Sequence, residues 1–282
     1  MKQGKRVRVM VVPYHLGRKN VSLGRGPMAL INAGLQDKLR QAGLNSRIMV
    51  VHRQKPFTSA LEATADVNKQ LARLVKESVT AGEFPLVLAG DCNSSIGILG
   101  GLETASMGVV WCDAHGDFNT PETSLSGCFD GMALAILTGD GHASWRKKIT
   151  SLPPVEKSRV VLIGVRDLDP GEKMRLKKSS ITQITPKRMR TVGAYLETLC
   201  SRVQDIYLHV DMDIFDPGVA PANAYQTDGG VSLTDMLGVV RFLASRVRIR
   251  AAALTAFDPA FDGEGKTRKI GVRIGSEICV VE

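Results

Sequence analysis

The chain has 282 residues, 44% of them hydrophobic, enough to bury the core of one sizeable enzyme domain, since single α/β domains commonly reach about 250 residues. Five scattered cysteines, an odd number, argue against a disulfide framework. The net charge of +9 is dispersed in short clusters such as Lys5/Arg6/Arg8, Arg146/Lys147/Lys148 and Lys173/Arg175/Lys177/Lys178, and aromatic content is 5%, so these charges read as a solvated surface, with no nucleic-acid partner expected.

No stretch approaches the ~20 apolar residues of a membrane span. The apolar run from Val7 to Pro13 is interrupted by Arg8 and lacks a cleavage pattern, so a soluble cytoplasmic protein without a membrane partner is expected.

In chain order, Arg6–Val12 reads as a strand and Pro27–Ala42 as a helix, with proline near its start and Gly43 just past its end. Arg47–Val51 repeats the strand signal and Ala60–Thr80 the helical one; Pro85–Ala89 is then a short buried strand ending in Gly90-Asp91-Cys92. Further strands are expected at Gly108–Cys112, Arg159–Val165, Ile206–Val210 and Ile249–Thr255. This βα alternation predicts an α/β fold, a mostly parallel sheet with helices on both faces. Polar clusters follow the strand ends, where open α/β sheets place their ligands.

Two of these clusters are rich in metal donors. Asp113-Ala114-His115-Gly116-Asp117 and His209-Val210-Asp211-Met212-Asp213 set their donors at alternate positions, on one side of an extended segment. Carboxylates shared between two divalent ions are what a hydrolase needs to make hydroxide from water near neutral pH.

Together with Ala89-Gly90-Asp91-Cys92-Asn93-Ser94, Trp111 to Asn119, and Asp216-Pro217, these segments resemble the arginase/agmatinase ureohydrolase family. The resemblance implies one three-layer α/β/α domain over residues 1–282, two Mn²⁺ ions, a small guanidino or amidino amino acid as partner, and a homo-oligomer, trimer or hexamer. Carried over by position, it implies that Cys92, Asp113, Asp117 and Asp211 bind one metal. Asp113, His115, Asp211 and Asp213 would bind the other. Asp117 would also orient the nucleophile and take up its proton. Gly164 to Glu172 resembles the segment that holds an α-amino group, implying Asp169 directly and Glu172 through water; Asn119, Ser124 and Ser126 match positions that contact an α-carboxylate.

Three positions depart from the family pattern. Cys92 stands where histidine is usual, and a thiolate, softer than imidazole, favours Zn²⁺ or Fe²⁺ over Mn²⁺. Asp130 stands where arginases carry a proton-shuttling histidine. Ala256 replaces a glutamate that grips the guanidinium, which disfavours arginine; Asp258, Asp262 or Glu264 are the nearest carboxylates to substitute for it. Cys92, with His115 to Thr123, Gly131-Met132 and Pro221-Ala222-Asn223, narrows the resemblance to the Nω-hydroxy-L-arginine amidinohydrolases of D-cycloserine biosynthesis, which yield L-ornithine and hydroxyurea. The alternatives are an arginase, an agmatinase, a formimidoyl-amino-acid hydrolase, or a catalytically silent relative with a binding role. His15 is a candidate substrate contact, His209 a candidate support for the ligands, and His52 and His142 read as surface residues.

Overall fold

The β-branched runs are buried on both faces, which is why they alternate so little between apolar and polar residues. The structure, a computed structural model, describes residues 5–54, 56–57, 59–103 and 106–282. Its main sheet contains β1 (Arg6–Val12), β2 (Asn45–Val50), β3 (Phe84–Ala89), β4 (Gly108–Cys112), β5 (Val160–Ile163), β6 (Thr182–Ile184), β7 (Asp205–Asp211) and β8 (Arg248–Thr255). Their spatial order is β2-β1-β3-β8-β7-β4-β5-β6, and each pairing is parallel.

Helices cover both faces, as expected of a three-layer α/β/α fold. On one face, α1 (Gly26–Asn32), α2 (Leu35–Gln41), α6 (Val192–Cys200), α7 (Leu233–Ala244) and α8 (Lys266–Val281) close one apolar core. On the other, α3 (Ala60–Thr80), α4 (Ser94–Leu102) and α5 (Pro170–Lys178) close a second core that contains Trp111 and Tyr207. Among the described residues, no helix is long and apolar enough to cross a membrane.

The helix expected over Pro27–Ala42 is in fact two. Gly34, at φ 93, takes the left-handed backbone that glycine tolerates, and the chain turns there between α1 and α2. The edge strand β6 escaped the sequence reading because three residues carry no usable periodicity. His52 is exposed, as expected, but His142 is half-buried, edge-on to Phe129.

Arg8 corrects the reading of its cluster as solvated. It lies in β1 with 5% of its side chain exposed, and its Nε donates to Glu83 Oε2 at 2.6 Å. Burial works against the Glu83 carboxylate, but hydrogen bonds from Arg47 and Arg8 overcome it and lower its pKa. Glu83→Gln is expected to destabilise the fold by about 1.5–3 kcal/mol, because it takes the nearest carboxylate from a buried guanidinium whose other acid, Glu77, stands 3.7 Å away. A lowered folded pKa stabilises above the ordinary glutamate range and is lost as pH falls through the folded value. Urea denaturation should therefore show the gap between wild type and variant narrowing in acid.

Candidate metal centre and active site

Four strands adjacent in the middle of the sheet, β3, β8, β7 and β4, end on the same side. The segments leaving them bring together residues distant in sequence: Cys92 after β3, Ala256 after β8, Asp211 and Asp213 at the end of β7, and Asp113 to Asp117 after β4. They meet at a cavity of about 330 Å³, whose wall includes Cys92, His115, Asp117, Asp211, Asp213 and Ala256.

Two donor groups lie in this region. The ligand atoms of Asp113, His115 and Asp213 fall within 4.8 Å of one another, with His115 Nδ1 3.4 Å from both Asp113 Oδ1 and Asp213 Oδ2. Those of Cys92, Asp113, His209 and Asp211 form the second group, in which the Cys92 thiol donates to Asp211 Oδ2 at 3.2 Å. Asp117 lines the same cavity, and its Oδ2 is buried with no hydrogen-bond partner.

This environment fits a pair of divalent cations. Burial, aided by the charge of Asp213, pushes the Asp113 carboxyl up to about 6. Burial and neighbouring carboxylates raise Asp117 and Asp211 well above the ordinary carboxylate range. Burial opposes a charged His115, but its hydrogen bonds to Asp113 and Asp213 and their charges outweigh that and raise its pKa. So many close acids cannot all ionise without added positive charge. Oxygen donors with one imidazole suit a hard or borderline divalent ion, and the Cys92 sulfur adds softness to one side.

The comparisons agree with this geometry. The arginase family model matches residues 5–280. The arginase of Bacillus caldovelox is 32% identical over 291 residues, 96% of each chain, and that of Bacillus subtilis strain 168 is 32% identical over 284 residues, again 96% of each. A crystal structure of Bacillus subtilis arginase superposes with a TM-score of 0.89 at 31% identity, covering 98% of both chains. This chain belongs to the arginase family. Members of that family usually hold a dinuclear metal centre, and this chain carries two groups of side chains with metal-ligand spacing.

Most of the other residues singled out in the sequence also reach the cavity. Asn119, Ser126, Asp169 and Glu172 line it, as does His15, whose pKa is lowered by burial and by Arg18. Asp169 Oδ2 accepts from Asn119 Nδ2 at 3.0 Å and from the Leu125 amide at 3.2 Å, so the two residues expected at opposite ends of a zwitterion are neighbours. Ser124 reaches the wall only through Ser126, their hydroxyls 3.5 Å apart. Glu172 is buried and accepts from the Phe118 amide at 2.7 Å; burial raises its pKa to about 7. It packs so closely on the ligand loop that a Cβ at Gly116 would lie 2.5 Å from Glu172 Oε1. Asp130 lines the cavity too, and its Oδ1 accepts from the Cys92 amide at 2.8 Å.

The three carboxylates named as substitutes for the glutamate missing at Ala256 are all engaged elsewhere. Asp258 is held by Arg25 at 2.8 Å, Asp262 accepts from the Thr267 and Arg268 amides at the start of α8, and Glu264 pairs with Lys266. Continued strand alternation would put Asp258 on the side of Ala256, but β8 ends at Thr255 and Ala256 is left-handed, at φ 57, which breaks the alternation. Asn223 fixes that turn by donating to the Ala256 carbonyl at 2.7 Å, and it also donates to Asp213 Oδ2 at 3.3 Å.

Sequence reasoning missed Arg166 as an organiser of the centre. Its guanidinium donates to the carbonyls of Gly164, Asp213, Ile214, Phe215, Thr227 and Asp228, so one cation ties the Asp213 loop to the glycine-rich turn at Asp228. No local pattern announces this, because the acceptors are backbone groups from two remote loops. Arg166→Lys keeps the charge but not the planar fork. Stability should fall by about 2–4 kcal/mol, as carbonyls lose their donors, with urea denaturation as the measurement.

Proposed function

We propose that this arginase-family chain is a dinuclear-metal amidinohydrolase whose best substrate is Nω-hydroxy-L-arginine, cleaved to L-ornithine and hydroxyurea. The observation that carries the choice of substrate is the corner of the cavity at Ala256. Its wall includes His15, Leu23 and Ala256, and Asp258, the nearest acid in sequence, is locked by Arg25. Ala256 offers a cationic guanidinium no carboxylate, whereas a less basic N-hydroxyguanidine does not need one.

Cys92, Asp113, His115, Asp117, Asp211 and Asp213 would hold the metals, Mn²⁺ or, because of the sulfur, Zn²⁺ or Fe²⁺. When bound, such ions supply Lewis-acid polarisation and lower the pKa of water toward neutrality. Asp117, with its unpartnered buried oxygen, orients the attacking water and accepts its proton. Asn119, Ser124 and Ser126 hold the substrate carboxylate, while Asp169 and Glu172 hold its ammonium. The bond that breaks joins the amidino carbon to the side-chain nitrogen of ornithine. Asp130 returns a proton to that leaving amine.

With Mn²⁺ supplied under reducing conditions, turnover of Nω-hydroxy-L-arginine should exceed that of L-arginine, measured as hydroxyurea and urea release. The reverse preference would make the chain an arginase, the second reading, which the names of its relatives favour. Ala256→Glu should shift the preference toward arginine by about 10- to 100-fold, since a charge-assisted hydrogen bond contributes about 1.5–3 kcal/mol. Asp130→Asn retains an oxygen to accept from the Cys92 amide but carries no acidic proton. It should lower turnover of hydroxyarginine by about 10²- to 10⁴-fold at unchanged metal content.

A further inference from the structure

Behind the carboxylates lies a second, neutral set of polar side chains that the mechanism does not use. β7 places Tyr207 and His209 on one face, and His209 is in register with Trp111 of β4 and Ala253 of β8. The imidazole stacks on Trp111, centroids 3.6 Å apart and planes 8° from parallel. Its Nδ1 is 2.9 Å from the Tyr207 hydroxyl and its Nε2 is 3.1 Å from Thr255 Oγ1. Thr255 Oγ1 in turn lies 3.5 Å from Cys92 Sγ. All of these side chains are buried.

The ring nitrogen of His209 is close enough to Cys92, Asp113 and Asp211 to serve as a ligand itself. Its surroundings favour a different role. Both nitrogens are hydrogen-bonded and the ring is clamped flat on the indole, so ligation through Nε2 would cost the Thr255 bond. One orientation of the protons also satisfies the whole chain. Tyr207 donates to Nδ1, Nε2–H donates to Thr255, and the Thr255 proton is left for the sulfur. The Val210 carbonyl, also 3.5 Å from Thr255 Oγ1, competes for that proton, but a sulfur ligating a cation is the stronger acceptor.

We propose that Tyr207, His209 and Thr255 are positioning residues that hold the Cys92 sulfur in place to ligate metal. This rests on the dinuclear-metal reading above. Outer partners of metal ligands fix their orientation, and losing one typically weakens metal binding about 10- to 100-fold.

Cobalt(II) substitution tests both layers. Wild type loaded with Co²⁺ should show a thiolate-to-cobalt charge-transfer band that Cys92→Ser abolishes. Thr255→Val, matched in shape and suited to a strand, should weaken or shift the band and lower Co²⁺ affinity about 10- to 100-fold, in a protein that still melts cooperatively. Thr255→Ser should restore both properties, and Tyr207→Phe, one link further out, should give a smaller effect of the same sign. A Thr255→Val protein with wild-type band and affinity overturns the proposal while leaving the metal reading intact. So does a His209→Gln protein that loses a whole metal equivalent while Thr255→Val loses nothing, since His209 is then a ligand. Absence of the band in wild type overturns sulfur ligation itself, and this proposal with it.

Discussion

Buried negative charge at the carboxyl ends of four adjacent strands is the constraint around which the rest of the site is arranged. Asp113, Asp117, Asp211 and Asp213 are all buried, and Asp130 stands beside them on the cavity wall. A protein keeps such a set only if something compensates it. His115 compensates part, sitting between Asp113 and Asp213, and backbone amides take up several of the oxygens. The unpartnered oxygen of Asp117 marks what those groups leave over. Positive charge from a bound divalent ion would meet that need, and the same charge would lower the pKa of water.

Around the acids, the structure spends rigid polar contacts on backbone geometry. Arg166 touches no carboxylate of the cluster in its hydrogen bonds; it gathers carbonyls from the loop that carries Asp213 and from the turn at Asp228. Asn223 links Asp213 to the Ala256 carbonyl. Trp111 donates its indole N–H to Asp113 Oδ2 at 3.0 Å while its face supports His209. Each of these residues holds in place a segment that carries an acid of the cluster.

Two non-glycine residues on the cavity wall, Asp117 and Ala256, have left-handed backbones, at φ 47 and φ 57. That conformation costs roughly 1–2 kcal/mol for an L-residue. At Asp117 it turns the chain out of the Asp113–His115 segment, and the Asp117 carbonyl is held by the Ala135 amide at 3.0 Å. At Ala256 it ends the strand geometry and sends Asp258 to Arg25 rather than into the cavity.

The parallel α/β architecture is legible in the chain, because strands covered on both faces must be continuously apolar and the connections between them must be long enough for helices. The sequence also marked the donor-rich segments, Asp113 to Asp117 and Asp211 to Asp213, by their local density of acids, although the strand alternation expected there fails: β4 ends at Cys112, Asp117 is left-handed and Asp213 lies in a 3-10 turn. What it could not determine is set by strand order. β3, β8, β7 and β4 are neighbours although they are remote in the chain. Only that adjacency puts Thr255 beside His209 and Cys92 beside Asp211. The split of the first helix at Gly34 and the diversion of Asp258 depended on single backbone angles, and the clamp at Arg166 on carbonyls, which carry no side-chain signal. Local spacing is written in the chain; pairing across a sheet is decided only when the strands pack.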